Sequence, residues 1–350
     1  MNKTIQTLID RLEQNHALTE AEYAALITGR TEEAAVYLAE KARRACHRVY
    51  GNQVYIRGLI EVSNICRNDC LYCGIRRSNT NCARYRLTAE QILSCCRSGY
   101  ALGFRTFVLQ GGETDTHKVD AVCRVVQSIK AEFPDCAVTL SLGEYPTEAY
   151  QAMFDAGADR YLLRHETADR AHYQSLHPSS MSFDNRMRCL RDLKAIGYQV
   201  GCGFMVGSPG QTAQTLAKDL KFVETFAPAM CGIGPFIPHR DTPFRDKPAG
   251  SVELTLYLLS ILRLIRPTLL LPATTALGTL RPDGRERGML AGANVVMPNL
   301  SPPDAREKYT LYNGKLHSGA ESAQHVAELK QRMSAIGMCV VTDRGDAAAG

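Results

Sequence analysis

Val54-Tyr-Ile-Arg-Gly-Leu-Ile-Glu-Val-Ser-Asn-Ile-Cys66-Arg-Asn-Asp-Cys70-Leu-Tyr-Cys73 runs from a β-branched segment straight into a CxxxCxxC triplet. Its first part, 54–62, reads as a strand rich in Val, Ile and Tyr. Thirteen cysteines spread over 350 residues would give roughly 0.02 such triplets by chance, so the spacing is not accidental. Three clustered thiolates suit a soft metal centre. A structural zinc ion needs four closed ligands, and Cys82, the nearest candidate for a fourth, lies outside the tight spacing. Three thiolates would instead leave one iron of a 4Fe–4S cluster open to a further ligand. Unliganded cysteines are the third reading.

Outward from this stretch, short β-branched runs alternate with amphipathic segments of helical length. Strands are expected at 54–62, 106–110, 137–142, 161–164, 199–206, 232–237, 269–274 and 295–297. Helices are expected near 88–102, 116–132, 146–156, 184–196, 211–226 and 251–266. Thr88, Thr147, Asp184 and Thr212 are candidate caps. Strand–helix alternation implies a parallel sheet. Eight strands over roughly 250 residues fit an α/β fold of the (β/α)8 TIM-barrel type, with a doubly wound sheet as the alternative. In a barrel, the cysteine triplet would sit on the C-terminal rim, where active sites are built. Residues 1–50 read as a helical extension, 51–315 as the barrel, and 316–350 as a C-terminal helix and a tail frayed from Asp343 on.

Composition narrows the class. The formal net charge is +5 and 45% of residues are apolar, which excludes a disordered, collagenous or coiled-coil chain. So mild a charge suits anionic small molecules and does not indicate nucleic-acid binding. The N-terminus MNKTIQTLIDRLEQ lacks an apolar secretory core. The most apolar stretch, 254–276, is interrupted by Arg263, Arg266 and Pro267, so it reads as a buried helix and strand rather than a membrane span. These features point to a reducing cytoplasm, where clustered cysteines bind metal more often than they form disulfides. Cys46, Cys95, Cys96, Cys123, Cys136, Cys189, Cys202 and Cys231 read as small core residues.

The CxxxCxYC pattern after a first strand resembles the radical S-adenosylmethionine (SAM) enzymes. Further segments sharpen the likeness: Val108-Leu-Gln-Gly-Gly-Glu113, Thr139-Leu-Ser-Leu-Gly-Glu144, Ala158-Asp-Arg-Tyr-Leu-Leu-Arg-His-Glu-Thr167, Met205-Val-Gly-Ser-Pro-Gly-Gln211, Gly232-Ile-Gly-Pro-Phe-Ile-Pro-His239, Pro272-Ala-Thr-Thr275 and Ala293-Asn-Val-Val-Met-Pro298. Together they resemble the HydE family of [FeFe]-hydrogenase maturases from the N-terminal helices to about Gly314. The resemblance implies that Cys66, Cys70 and Cys73 hold a 4Fe–4S cluster whose free iron chelates SAM. It implies reductive cleavage of SAM to methionine and a 5′-deoxyadenosyl radical. By the same resemblance, Tyr72 contacts the adenine. Gly111, Gly112 and Glu113 receive the SAM amino group, Glu166 and Arg186 grip its polar end, and Met205 lines its pocket. Gln110, Thr139, Arg164, Thr274, Thr275, Met297, Tyr309 and Tyr312 line the substrate cavity. The implied substrate is a sulfur-bearing iron–carbonyl–cyanide–cysteine synthon, with HydG as supplier and HydF as recipient.

Physical chemistry agrees with these roles. Zwitterionic SAM needs a carboxylate and a cation, and Arg can grip a carboxylate through two parallel bonds. Glycines let the backbone approach closely. The bland alternatives are a plain strand-to-helix turn at Gly111–Glu113, a wall ion pair between Arg164 and Glu166, and core packing for Met297. Alternation on a strand would put Arg164 and Glu166 on one face and His165 on the other. His239 is open between a rim group and a ligand contact. The chain departs from some family members in one respect. The stretch Leu316-His-Ser-Gly-Ala-Glu-Ser-Ala-Gln-His325 has no cysteine, so one cluster is expected and not two, with His317 and His325 read as solvated. Other readings are a methylornithine synthase acting on lysine, a biotin synthase more distantly, and a non-catalytic metal or iron–sulfur carrier.

Overall fold

The computed structural model describes residues 1–114, 118–316 and 319–348. His317 and the start of the helix expected at 116 lie outside the described residues. Eleven strands are described: β1 (Gln53–Ile56), β2 (Gly58–Ser63), β3 (Thr106–Gly111), β4 (Ala137–Ser141), β5 (Arg160–Leu162), β6 (Gln199–Cys202), β7 (Met205–Val206), β8 (Met230–Cys231), β9 (Gly234–Pro235), β10 (Val295–Val296) and β11 (Cys339–Val341). Six of them form one parallel sheet in the order β2-β3-β4-β5-β6-β8. Parallel pairing then continues from Met230 to Leu270, from Pro272 to Val295, from β10 to β1 and from Leu59 to Asn299. The sheet therefore returns to its first strand and closes as a barrel.

The expected strand at 54–62 is split at Arg57, because β1 pairs with β10 and β11 while β2 pairs with β3. Segments 199–206 and 232–237 are likewise each broken, and 269–274 contributes only single pairings. Helices Ala89–Ala101 and Ala213–Phe226 start on the expected Thr88 and Thr212 caps, each closed by a reciprocal side-chain bond from the third helical residue. The caps differ at two helices. Pro146 precedes Thr147–Asp155, and Ser182 rather than Asp184 caps Phe183–Ile196. Three N-terminal helices, Lys3–Asn15, Glu20–Thr28 and Glu32–Tyr50, pack beside the barrel. Helix Val252–Ile265 is buried along almost its whole length, as its apolar sequence requires. No helix among the described residues is long and apolar enough to cross a membrane.

The expectation of a frayed tail is corrected. Residues 343–348 pack under the barrel, against the first residues of its strands. The Arg344 carbonyl accepts from Thr106 Oγ1 (2.7 Å) and from Arg160 Nη2 (2.9 Å). Gly345 O accepts from Arg57 at 3.2 Å, and the Asp346 carboxylate takes Arg160 and Gln199. Arg57 and Arg160 are almost fully buried, and the tail supplies acceptors that the strands cannot.

Candidate functional site

The loop after β2 is built by backbone bonds to distant segments. Arg67 N donates to Glu113 O (2.6 Å), Leu71 N to Leu176 O (3.0 Å) and Gly74 N to Leu311 O (2.8 Å). Asn64 Nδ2 donates to Ala83 O and Lys308 O, and its Oδ1 accepts from Tyr85 N. Asp69 holds Arg76 at 2.7 Å and the Ser78 amide at 3.0 Å. The loop is thus fixed without helix or strand, and its cysteines Cys66, Cys70 and Cys73 are half-buried.

Burial pushes all three thiols up, Cys73 to about 12. At Cys70 the neighbouring Cys73 and Cys66 add to the rise, so the three share one electrostatic pocket. A soft cationic group is what would draw protons off such a set. Among the described residues, no three His, Cys, Asp or Glu side chains are gathered tightly enough for a single metal ion. A cluster places several irons between its thiolates, and three thiolates are a fitting donor set for it. Cys82 stands at 3.4 Å from Asn64 Nδ2.

Tyr72 is positioned by His177. The Tyr72 hydroxyl lies 3.2 Å from His177 Nε2, and His177 Nδ1 lies 2.8 Å from the Tyr173 carbonyl, which places the ring proton on Nδ1. Burial lowers the His177 pKa to about 4, so the ring is neutral. Met205 packs with Leu176 and Phe236 against Tyr72, which brings these two expected SAM residues together.

Gly111 ends β3, and Gly112 N donates to Ser63 O at 2.9 Å. A Cβ on Gly112 would stand 2.3 Å from Ile65 O and 2.9 Å from Cys66 Cβ, so the turn and the cysteine loop touch only because this residue is glycine. The Glu113 carboxylate takes Arg67 (2.8 and 3.1 Å) on one oxygen and the Glu144 amide (3.0 Å) on the other.

Arg186, on helix Phe183–Ile196, gives Nε to Glu144 and Nη1 to the Arg164 carbonyl. Arg164 pairs with Glu166 at 3.0 and 3.2 Å, the wall pair considered from sequence. Neither residue lies on the expected strand: β5 ends at Leu162 and both follow it, Glu166 making a single parallel bridge to Phe204. Glu166 has φ +63°, a left-handed backbone that non-glycine residues rarely adopt, held by its N–H on Gly203 O at 3.0 Å. His165 is fully buried against Phe204 and Phe222, away from this face, as expected.

The expected substrate residues divide into groups. Gln110 Nε2 reaches Tyr309 OH at 3.3 Å, and Thr275 Oγ1 donates to Glu321 at 2.8 Å. Thr139 lines a small floor cavity with Arg57 and Arg160. Buried Thr139 Oγ1 and Thr274 Oγ1 have no partner. Met297 packs on the cluster of Tyr50, Tyr55 and Met230, which is the bland reading. Burial pushes Tyr312 upward. His239 is buried with its ring against Gly74, its Nδ1 accepting from the Asp241 amide at 3.1 Å, and His325 is exposed. Sequence reasoning did not assign Arg67, Glu144 or His177. Glu144 falls in a quoted motif, but its partner is 42 residues away and only folding joins them.

The sequence pattern of the Radical SAM superfamily matches residues 60–223. The [FeFe] hydrogenase maturase subunit HydE of Thermotoga maritima is 48% identical over 284 residues, 81% of this chain and 80% of that protein. The crystal structure of methylornithine synthase (PylB) superposes with a TM-score of 0.82 at 28% identity, covering 95% of this chain and 97% of the other. That of the [FeFe]-hydrogenase maturase HydG gives 0.80 at 20% identity, covering 96% and 75%, a likeness of fold.

Proposed function

Since the chain belongs to the radical SAM superfamily and, within it, to the HydE maturase family, we propose that it cleaves SAM reductively and turns the resulting radical on a sulfur-bearing iron–carbonyl–cyanide–cysteine complex during assembly of the hydrogenase diiron centre. The observation that carries this reading is the half-buried, mutually interacting set of Cys66, Cys70 and Cys73 at the mouth of a closed barrel. These residues would hold one 4Fe–4S cluster, because no cysteine lies in 316–325 to build another. When bound and reduced, the cluster supplies the electron that splits SAM into methionine and a 5′-deoxyadenosyl radical.

The protein's own groups bind and orient. Arg186 spends two nitrogens on Glu144 and the Arg164 carbonyl, which aims the guanidinium and leaves Nη2 for the SAM carboxylate. The turn Gly111, Gly112 and Glu113 receives the ammonium, and Glu166 stands beside it in its strained turn. Tyr72 and Met205 offer an apolar wall to the adenosyl group. Gln110, Arg164, Thr274, Thr275, Tyr309 and Tyr312 face the substrate at the mouth, with Thr139 below and Met297 packed behind. The closed barrel keeps water from the radical. The working compartment is the cytoplasm, with HydG-type and HydF-type maturases as supplier and recipient. The 48% identity to a maturase, against 28% to methylornithine synthase, favours this reading over a lysine substrate.

The test is electron paramagnetic resonance of anaerobically reconstituted, dithionite-reduced protein. A reduced-cluster signal that changes on adding SAM, with 5′-deoxyadenosine as product, supports the reading. A signal indifferent to SAM returns the triplet to zinc or to a passive carrier.

A further inference from the structure

Glu61 is fully buried at the C-terminal end of β2. Its neighbours Ile60 and Val62 join the core, so alternation turns Glu61 to the opposite, barrel-interior face. There it pairs in register with Gln110 of β3, whose amide reaches the Tyr309 hydroxyl at 3.3 Å. Lys315 donates to Glu61 Oε1 and, at 2.9 Å, to the Tyr309 carbonyl, and its ammonium stands 4.9 Å from the Tyr309 ring centroid. The backbone is secured separately, with Glu61 N donating to Ser301 Oγ (2.7 Å) and Glu61 O accepting from Tyr85 OH (2.7 Å). The second carboxylate oxygen, Oε2, is buried and has no partner.

A buried carboxylate oxygen without a donor is costly, and such atoms in a folded protein call for a specific explanation. Lys315 offsets the charge from one side only. Beside Glu61 stand the neutral Gln110 amide and the Tyr309 hydroxyl, while Arg306, within reach of its charge, is committed to Ser301 O, Ser322 Oγ and Gln324 Oε1, so the missing complement is a donor on the ligand. We propose that Glu61 is a specificity-determining residue that accepts an N–H bond from the amino group of an amino-acid-derived substrate, whether that amine is free or metal-bound. The inference rests on the proposed function and deepens it: it names the amine of the cysteine portion as the group recognised at this wall.

The experiment uses full-length, cluster-loaded, SAM-saturated protein under anaerobic conditions. Calorimetry compares L-cysteine with 3-mercaptopropionate, which keeps the thiol and carboxylate and lacks the amine. The wild type is expected to favour L-cysteine by roughly tenfold or more, the usual worth of a hydrogen bond to a charged group. Glu61→Gln, which keeps an acceptor and loses the charge, cuts the ratio several-fold while keeping the SAM-responsive spectrum. Lys315→Gln, which leaves the carboxylate in place, keeps the preference. A wild type that does not favour the amine, a Glu61→Gln protein with the full wild-type preference, or an equal loss in both variants overturns the assignment. A wild-type spectrum indifferent to SAM overturns the underlying reading instead, so the two failures are distinguishable.

Discussion

Replacing Asp346 by alanine tests the floor of the barrel. Its carboxylate meets Arg160 Nη2 at 2.5 Å, Gln199 Nε2 at 2.9 Å and Arg344 Nε at 2.9 Å. Arg160 is only 3% exposed in its side chain, whereas Asp346 is 39% exposed. Stranding a buried partner costs about 3–5 kcal/mol. Solvent at the Asp346 end screens the pair and lowers that figure. Arg160 also keeps Thr106 Oγ1 and the Arg344 carbonyl as acceptors. The expected loss is therefore about 2 kcal/mol, a large share of the roughly 5–15 kcal/mol that holds a typical domain. Urea unfolding of wild type, Asp346→Ala and Asp346→Asn at pH 7 measures it, and asparagine should recover little because it lacks the charge. Burial alone would raise the Asp346 pKa, but Arg344 and Arg160 hold it well below the usual carboxylate range. The stabilisation is thus complete above the unfolded value near about 4 and fades as pH falls through the folded one. The gap between wild type and Asp346→Ala should be constant from about pH 8 to 5 and narrow below about 4. A loss under about 0.5 kcal/mol, or a gap indifferent to acid, refutes the claim that the tail staples the floor.

Cys66→Ala is expected to abolish the SAM-responsive cluster signal and all 5′-deoxyadenosine; product from this variant would sink the ligand assignment. Arg186→Ala should weaken SAM binding by about tenfold or more while cluster absorbance stays intact, and loss of the cluster would contradict its role. In Gly112→Ala the new methyl meets Ile65 O at 2.3 Å, so cluster incorporation should fall, measured as iron per chain; full loading would show that the close approach is unnecessary. Burial raises the Asp219 carboxyl well above its usual range, so the native state holds an extra proton and its stability declines as pH rises through that window. Asp219→Asn keeps an acceptor for the Ala168 amide and should remove this decline at little cost at pH 7, whereas a loss above about 2 kcal/mol would mean the charged form is needed.

Legible in the chain alone were the cysteine triplet and the alternation of strands and helices, which fits a barrel and equally admits a doubly wound sheet; the pairings that close the ring decide between them. The triplet and the alternation are local signals: a spacing, a period of two or of 3.6, and a Thr with its partner three residues on. Gly112 and Tyr72 stood out only because the short motifs that hold them resemble those of a known family. Tertiary structure decided the rest, because it depends on contacts with no sequence period. The Arg186–Glu144 and Glu61–Lys315 pairs join residues 42 and 254 positions apart. Glu166 looked like one more strand residue until the end of β5 at Leu162 and the bond to Gly203 put it in a left-handed turn. The tail looked frayed because small and polar residues bury little area by themselves. It is ordered because Arg57 and Arg160, fixed in the barrel by strands far earlier in the chain, find there only Met230 Sδ, Thr106 Oγ1 and Gln199 Oε1, and residues 344–346 supply the remaining acceptors.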